Sequence, residues 1–119
     1  MAFHDRAPVI VGVGQYKQQL SDVSKANEQY LLMEQALRAA ADDANCSELL
    51  RSIDRMLVIG GMWSYPDPGR LISDSVGSLE AKTFLTAMGG NMPQASVSDC
   101  CQRIAAGEMD VAVVVGGEA

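Results

Sequence analysis

The feature that most constrains this chain is "VAVVVGG", Val111–Gly117, an unbroken run of small and β-branched residues closed by two glycines. A strand with one face in water alternates apolar and polar residues, whereas a strand covered on both faces reads as a continuous apolar run. Two other stretches have the same form. "PVIVGVGQ" (Pro8–Gln15) is opened by a proline and closed by glycines, and "SIDRMLVIGG" (Ser52–Gly61) contains a strand at Met56–Ile59 ending in Gly-Gly. "AKTFLTAM" (Ala81–Met88) reads as one more strand. Such runs call for a sheet with helices on both sides.

Helical periodicity fills the intervals. Across Asn27–Ala44, Tyr30, Met33, Leu37, Ala40 and Ala44 recur at spacings of three and four, which places them on one face. Ser24 is the expected N-cap of that helix. A short helix is expected at Leu71–Leu79, after a loop holding two prolines and the only Trp. Pro93–Ala106 is a further helix, with Pro93 in the first turn where a missing N–H is harmless. Asn91 is its expected cap, and Gly107 sits where a left-handed C-terminal residue belongs. The order βαβαβαβ defines an α/β fold with a mostly parallel sheet, packed helices and right-handed crossovers. Residues 1–119 form a single domain, and the absence of a closing helix after Glu118-Ala119 makes it read as truncated.

Composition narrows the function classes. Aromatics are only 5% of the residues, so close packing falls to Ala, Val, Gly and Met. A net charge of -6 without a cluster of Lys and Arg excludes nucleic acid as a natural partner. Val111–Val115 is far too short to span a bilayer, and "MAFHDRAPV" has no apolar signal region, so no membrane insertion is expected. Three cysteines, an odd number, indicate free thiols in a reduced cytoplasmic setting.

The residues capable of chemistry are few. "GVGQYK" (Gly12–Lys17) begins a Gly-x-Gly turn after a strand, but position 17 is Lys where a dinucleotide fingerprint needs its third glycine. His4 is the only histidine, isolated near the N-terminus, so no Cys-His or Ser-His site is self-contained here. Cys46 is expected to be a small buried hydrophobe. Adjacent Cys100 and Cys101 point about 100° apart around a helix, which suits neither a shared metal nor a disulfide. They lie about two turns inside the helix, away from the N-terminal end that lowers a thiol pKa. With Val97 and Ile104 they form an apolar stripe, so packing is their expected role. No metal site is expected.

"APVIVGVGQ", the alanine-rich helix, "IDRMLVIGG" and "IAAGEMDVAVVVGGEA" together resemble the N-terminal part of the thiolase superfamily. The last segment is the most specific, being similar to a helix ending in Ile-x-x-Gly-Glu-x-Asp followed by a Val-rich strand and Gly-Gly-x-Glu. The resemblance covers essentially the whole chain and about the first quarter to third of a family member. It implies acyl transfer with acyl-CoA as substrate, no other cofactor, and assembly into homo-oligomers. It also implies a place in lipid metabolism.

In catalytic members a cysteine at the start of the helix takes the acyl group as a thioester. The family register places it seventeen positions before Gly107, and that position here is Gly90. "GGNMPQ" (Gly89–Gln94) is instead similar to a branch of acetyl-CoA acetyltransferase-like and sterol-carrier-type proteins lacking the usual cysteine. The family's Gly-His-Pro histidine and second cysteine belong to a C-terminal half that these residues do not include. The resemblance therefore assigns no catalytic residue. It leaves Gly89, Gly90 and Asn91 as the candidate acyl pocket at a helix N-terminus, and implies that the isolated chain is inactive. Two alternatives stand beside this reading: a non-catalytic binding or oligomerisation module of thiolase fold, and a dinucleotide-binding α/β domain.

Overall fold

The computed structural model describes residues 5–19 and 21–118; His4 lies outside them. Three strands form one parallel sheet: β1 (Arg55–Val58), β2 (Lys82–Leu85) and β3 (Ala112–Val115), in the spatial order β2-β1-β3. The registers Leu57↔Phe84 and Leu57↔Val114 put β1 at the centre. Three α-helices accompany them: α1 (Gln29–Asp43), α2 (Pro68–Val76) and α3 (Met92–Ala105). Each lies within a few residues of its expected place, and the α/β architecture is the one that the continuous apolar runs require.

The core lies between the sheet and the pair α1 and α2. Met33 from α1, Met56 and Val58 from β1, and Ile72 from α2 are wholly shielded from solvent. Leu37, Val76 and Val115 close around them. On the other face α3 covers the sheet, and the Arg55 guanidinium both lies 3.8 Å from the Phe84 ring centre and reaches Asp99 of α3 at 3.3 Å. Gly69 of α2 allows a close approach, since a β-carbon there would sit 3.1 Å from Thr83 and 3.2 Å from Met56.

Local chemistry fixes the helix ends. The Asp67 carboxylate accepts from the Arg70 N–H at 3.1 Å and caps α2, and Pro68 occupies the first turn. Gly107 takes the left-handed conformation expected after α3, with φ 81, and its N–H reaches the Ile104 carbonyl at 3.1 Å. Asp54 organises the start of the sheet. Its carboxylate accepts from the N–H groups of Asp110 and Val111 at 2.9 and 3.0 Å, and its backbone carbonyl accepts from Lys82 at 3.0 Å.

Two expectations are corrected. Pro8–Gln15 is not a strand: the segment is extended but unpaired, and Val9 and Ile10 are 73% and 74% exposed. It lies along α1, because Gly12 and Gly14 approach the helix backbone at Ala40 and Ala36 so closely that a β-carbon would collide. Held there, it stands apart from the outer edge of β3, and a cleft between them removes any ladder partner. Ser24 does not cap α1; its N–H and hydroxyl both bond the Asp22 carboxylate at 3.0 and 2.6 Å, closing a separate turn. The helix starts later, with Glu28 at the N-cap and no side-chain cap bond.

Candidate functional site

In an open parallel sheet, ligand sites gather beyond the carboxyl ends of the strands, where loops and helix N-termini meet. Here a glycine pair follows each strand on that side: Gly60-Gly61 after β1, Gly89-Gly90 after β2 and Gly116-Gly117 after β3. Two of the pairs serve packing. A β-carbon on Gly60 would strike the Thr86 carbonyl, and one on Gly61 would lie 2.5 Å from both Glu118 and the Trp63 indole nitrogen. The loops are laced together accordingly. The Gly60 N–H donates to the Thr86 hydroxyl at 3.1 Å, the Met62 N–H to the Glu118 carboxylate at 2.6 Å, and the Trp63 indole to the Gly117 carbonyl at 2.8 Å. Trp63 also stacks near Tyr65, whose ring meets Tyr30 edge-on at 5.5 Å.

The third pair is different. Gly89, Gly90 and Asn91 are all exposed at the start of α3, and a β-carbon on Gly90 would have no atom within 4 Å. Asn91 is the N-cap, as its position predicts, but its side chain makes no capping bond. The Met92 N–H turns back to the Gly89 carbonyl at 3.1 Å, and Pro93 carries no N–H. The opening of α3 thus presents a helix dipole's positive end beside a position with room for a side chain. The clefts beside the N-terminal segment and at the opposite end of the sheet do not include these three residues.

All three cysteines are free. Cys100 is buried, and burial pushes its thiol pKa up; Arg55 pulls the other way, while Asp99 and Cys101 add to the rise. A neutral, enclosed thiol is a packing group, as the stripe with Val97 and Ile104 implies. Cys46 is exposed, which corrects its expected burial. It occupies the N-cap position of the 3-10 turn Ser47–Arg51, with no side-chain capping bond, just after α1 has ended, and so leaves the helical face that points inward. Among the described residues no group of three or more His, Cys, Asp or Glu side chains could hold a metal ion, and no helix is long and apolar enough to cross a membrane.

Gly12 and Gly14, the start of the incomplete dinucleotide motif, touch α1 rather than open onto a helix N-terminus. The lacing by Trp63, Thr86 and Glu118 had no reading from sequence. The one available signal was the placement of the single Trp next to a post-strand glycine pair.

Neither a protein-family model nor any curated protein sequence matches the chain. Solved structures do. A monomeric SCP2-thiolase-like protein type 1 from Mycobacterium smegmatis superposes with a TM-score of 0.76 at 29% identity, over 96% of this chain and 24% of that one. The chain is a thiolase-superfamily protein. An acetyl-CoA acetyltransferase from Syntrophomonas wolfei shares the fold at a TM-score of 0.69 and 21% identity, over 89% of this chain and 27% of its own. A Xanthomonas campestris OleA variant solved with lauric acid and lauroyl-CoA does so at 0.70 and 24%, over 80% and 28%. The thiolase-fold chain thus spans about a quarter of the length of these relatives.

Proposed function

We propose that this thiolase-fold chain is the acyl-CoA-facing N-terminal segment of an acetyl-CoA acetyltransferase-like protein, and that on its own it forms no acyl-enzyme. The observation that carries the reading is Gly90, exposed at the N-terminus of α3 with open space where a side chain would stand. A carbonyl oxygen held at that helix end is stabilised by the positive end of the dipole, which polarises a thioester without attacking it. Attack needs a thiolate. Cys100 is buried with its pKa raised, and Cys46 lies beyond the far end of α1.

The test is intact-mass spectrometry after incubation with acetyl-CoA and with lauroyl-CoA. The native chain is expected to gain no acyl mass. Gly90→Cys, placed at the helix N-terminus where thiols are acidified, is expected to gain one. Acylation of the native chain at Cys100 or Cys101 refutes the assignment of those residues to packing. Failure of Gly90→Cys to acylate, in a variant shown to be folded, refutes the placement of the acyl site.

A second reading, an assembly module without acyl chemistry, is favoured by the outer edge of β2, where Phe84 and Leu85 are exposed and Met88 follows them. Edges of this kind recruit further strands. Light scattering beside CoA titration separates the two: a homo-oligomer with no affinity for CoA supports the module.

A further inference from the structure

Two cations stand side by side where the strands begin. Arg55 and Lys82 are the first residues of β1 and β2, and they are register partners. Arg55 lies over the Phe84 ring and reaches Asp99 of α3. Lys82 precedes Phe84 by two residues, so both cations issue from the face that α3 covers. Like charges on paired positions destabilise a sheet.

Little offsets that repulsion. Arg55 is only 14% exposed, yet among the described residues its guanidinium makes one hydrogen bond, from Nη2 to the Asp99 carboxylate at 3.3 Å. The same Asp99 oxygen accepts from Arg103 at 3.0 Å, and the Arg55 Nε is buried without a partner. The Lys82 ammonium has no partner among the described residues. A largely buried cation short of hydrogen bonds is costly, and it marks a place where a further acceptor fits.

There is room for one. A cleft of about 520 Å³ opens at this end of the sheet, and Arg55, Lys82 and Arg103 line it. Four carboxylates line it as well. Three of them are engaged: Asp54 by the N–H groups of Asp110 and Val111, Glu108 by Arg103 at 3.1 Å, and Asp110 by Arg6 at 2.8 Å. The fourth, Glu80, has no partner among the described residues, although Lys82 shares the cleft with it.

This mixture of charges selects the ligand. A plain anion would meet Arg55 and Lys82 but also the four carboxylates. A plain cation would meet Glu80 but also the three bases. A molecule carrying both charges a few bonds apart answers every open group: its carboxylate accepts from the Arg55 guanidinium and Lys82, and its ammonium donates to Glu80. We propose that this cleft binds a small zwitterion of the α-amino acid class. The site is distinct from the candidate acyl site, since it meets α3 at Arg103, which the helix rise places about 20 Å from Gly90.

The probe is glycine, titrated into the isotope-labelled full 119-residue chain and followed by amide chemical shifts. Acetate and methylammonium, at equal ionic strength, are the probes with one charge each. Saturable glycine shifts are expected at Arg55, Lys82 and Gly107, with a Kd in the millimolar range because the recognising groups are partly exposed. Each one-charge probe is expected to bind about threefold more weakly or worse. Lys82→Gln and Glu80→Gln, both at exposed positions, are each expected to weaken glycine binding about threefold or more without lowering the unfolding midpoint. Absence of saturable shifts, acetate or methylammonium binding as tightly as glycine, unchanged binding in both variants, or shifts confined to other residues overturns the proposal.

Discussion

Replacing Gly14 by alanine isolates a steric effect that its backbone angles do not confound. Gly14 is not among the positive-φ residues, so alanine can adopt its conformation. A β-carbon there would lie 2.5 Å from both the Ala36 carbonyl oxygen and the Ala40 nitrogen, and 2.9 Å from the Ala39 carbonyl carbon. All three are helix backbone, which cannot rotate aside as a side chain can. Overpacking of this kind costs about 1–3 kcal/mol. Against it stands a gain of about 0.4–1 kcal/mol from the less flexible unfolded chain. The balance is a loss of roughly 1–2 kcal/mol, or about 3–8 °C in the unfolding midpoint of a domain this size.

Urea unfolding followed by circular dichroism measures the loss. Gly90→Ala is the matched control, because nothing lies within 4 Å of its β-carbon. That variant is expected to be neutral or slightly stabilised. If Gly14→Ala is as stable as the native chain, the segment does not rest on α1 and the cleft beside β3 is not held open as described.

Other outcomes follow from the same packing. Met56→Ala, at a wholly buried centre of the sheet, should destabilise by about 2–5 kcal/mol in the same assay. Asp67→Ala removes the cap of α2 together with the bond that its carboxylate accepts from Thr83, and should lower stability by about 1–2 kcal/mol. Thiol labelling of the native chain should modify Cys46 first and Cys100 last, a sequence read directly by peptide mass mapping. Burial raises the Cys100 pKa, so the folded state keeps a proton that the unfolded state releases. Stability should be level below the ordinary thiol pKa of about 8.5 and fall as pH rises above it. Cys100→Ala should remove that fall.

The sequence made the sheet and helices legible wherever a pattern was answered by a neighbour. Val111–Gly117 and Met56–Ile59 read as covered strands, and both are paired in the sheet. Pro8–Gln15 carries the same pattern yet is no strand, because a strand is a relation between two chains of hydrogen-bonding groups and the sequence shows only one of them. Ser24 failed as a cap for a related reason: a nearer acceptor, Asp22, claimed both of its donors. The candidate site was located by resemblance rather than by residue chemistry, since a glycine advertises nothing. Its openness at Gly90, against the crowding at Gly60 and Gly61, is visible only once the loops are assembled.

Asp54 has a consequence for the order in which the chain folds. It bonds the start of β3 across a separation of 57 residues while its carbonyl receives the start of β2, so one residue sets the alignment of all three strands. The β1–β2 pairing closes the shorter loop and carries the smaller entropic penalty. β3 must then be captured from a greater distance, and the Asp54 carboxylate offers it a latch that fits a single alignment. Loss of that latch in Asp54→Ala should slow refolding more than it hastens unfolding, the signature of a contact already made at the barrier.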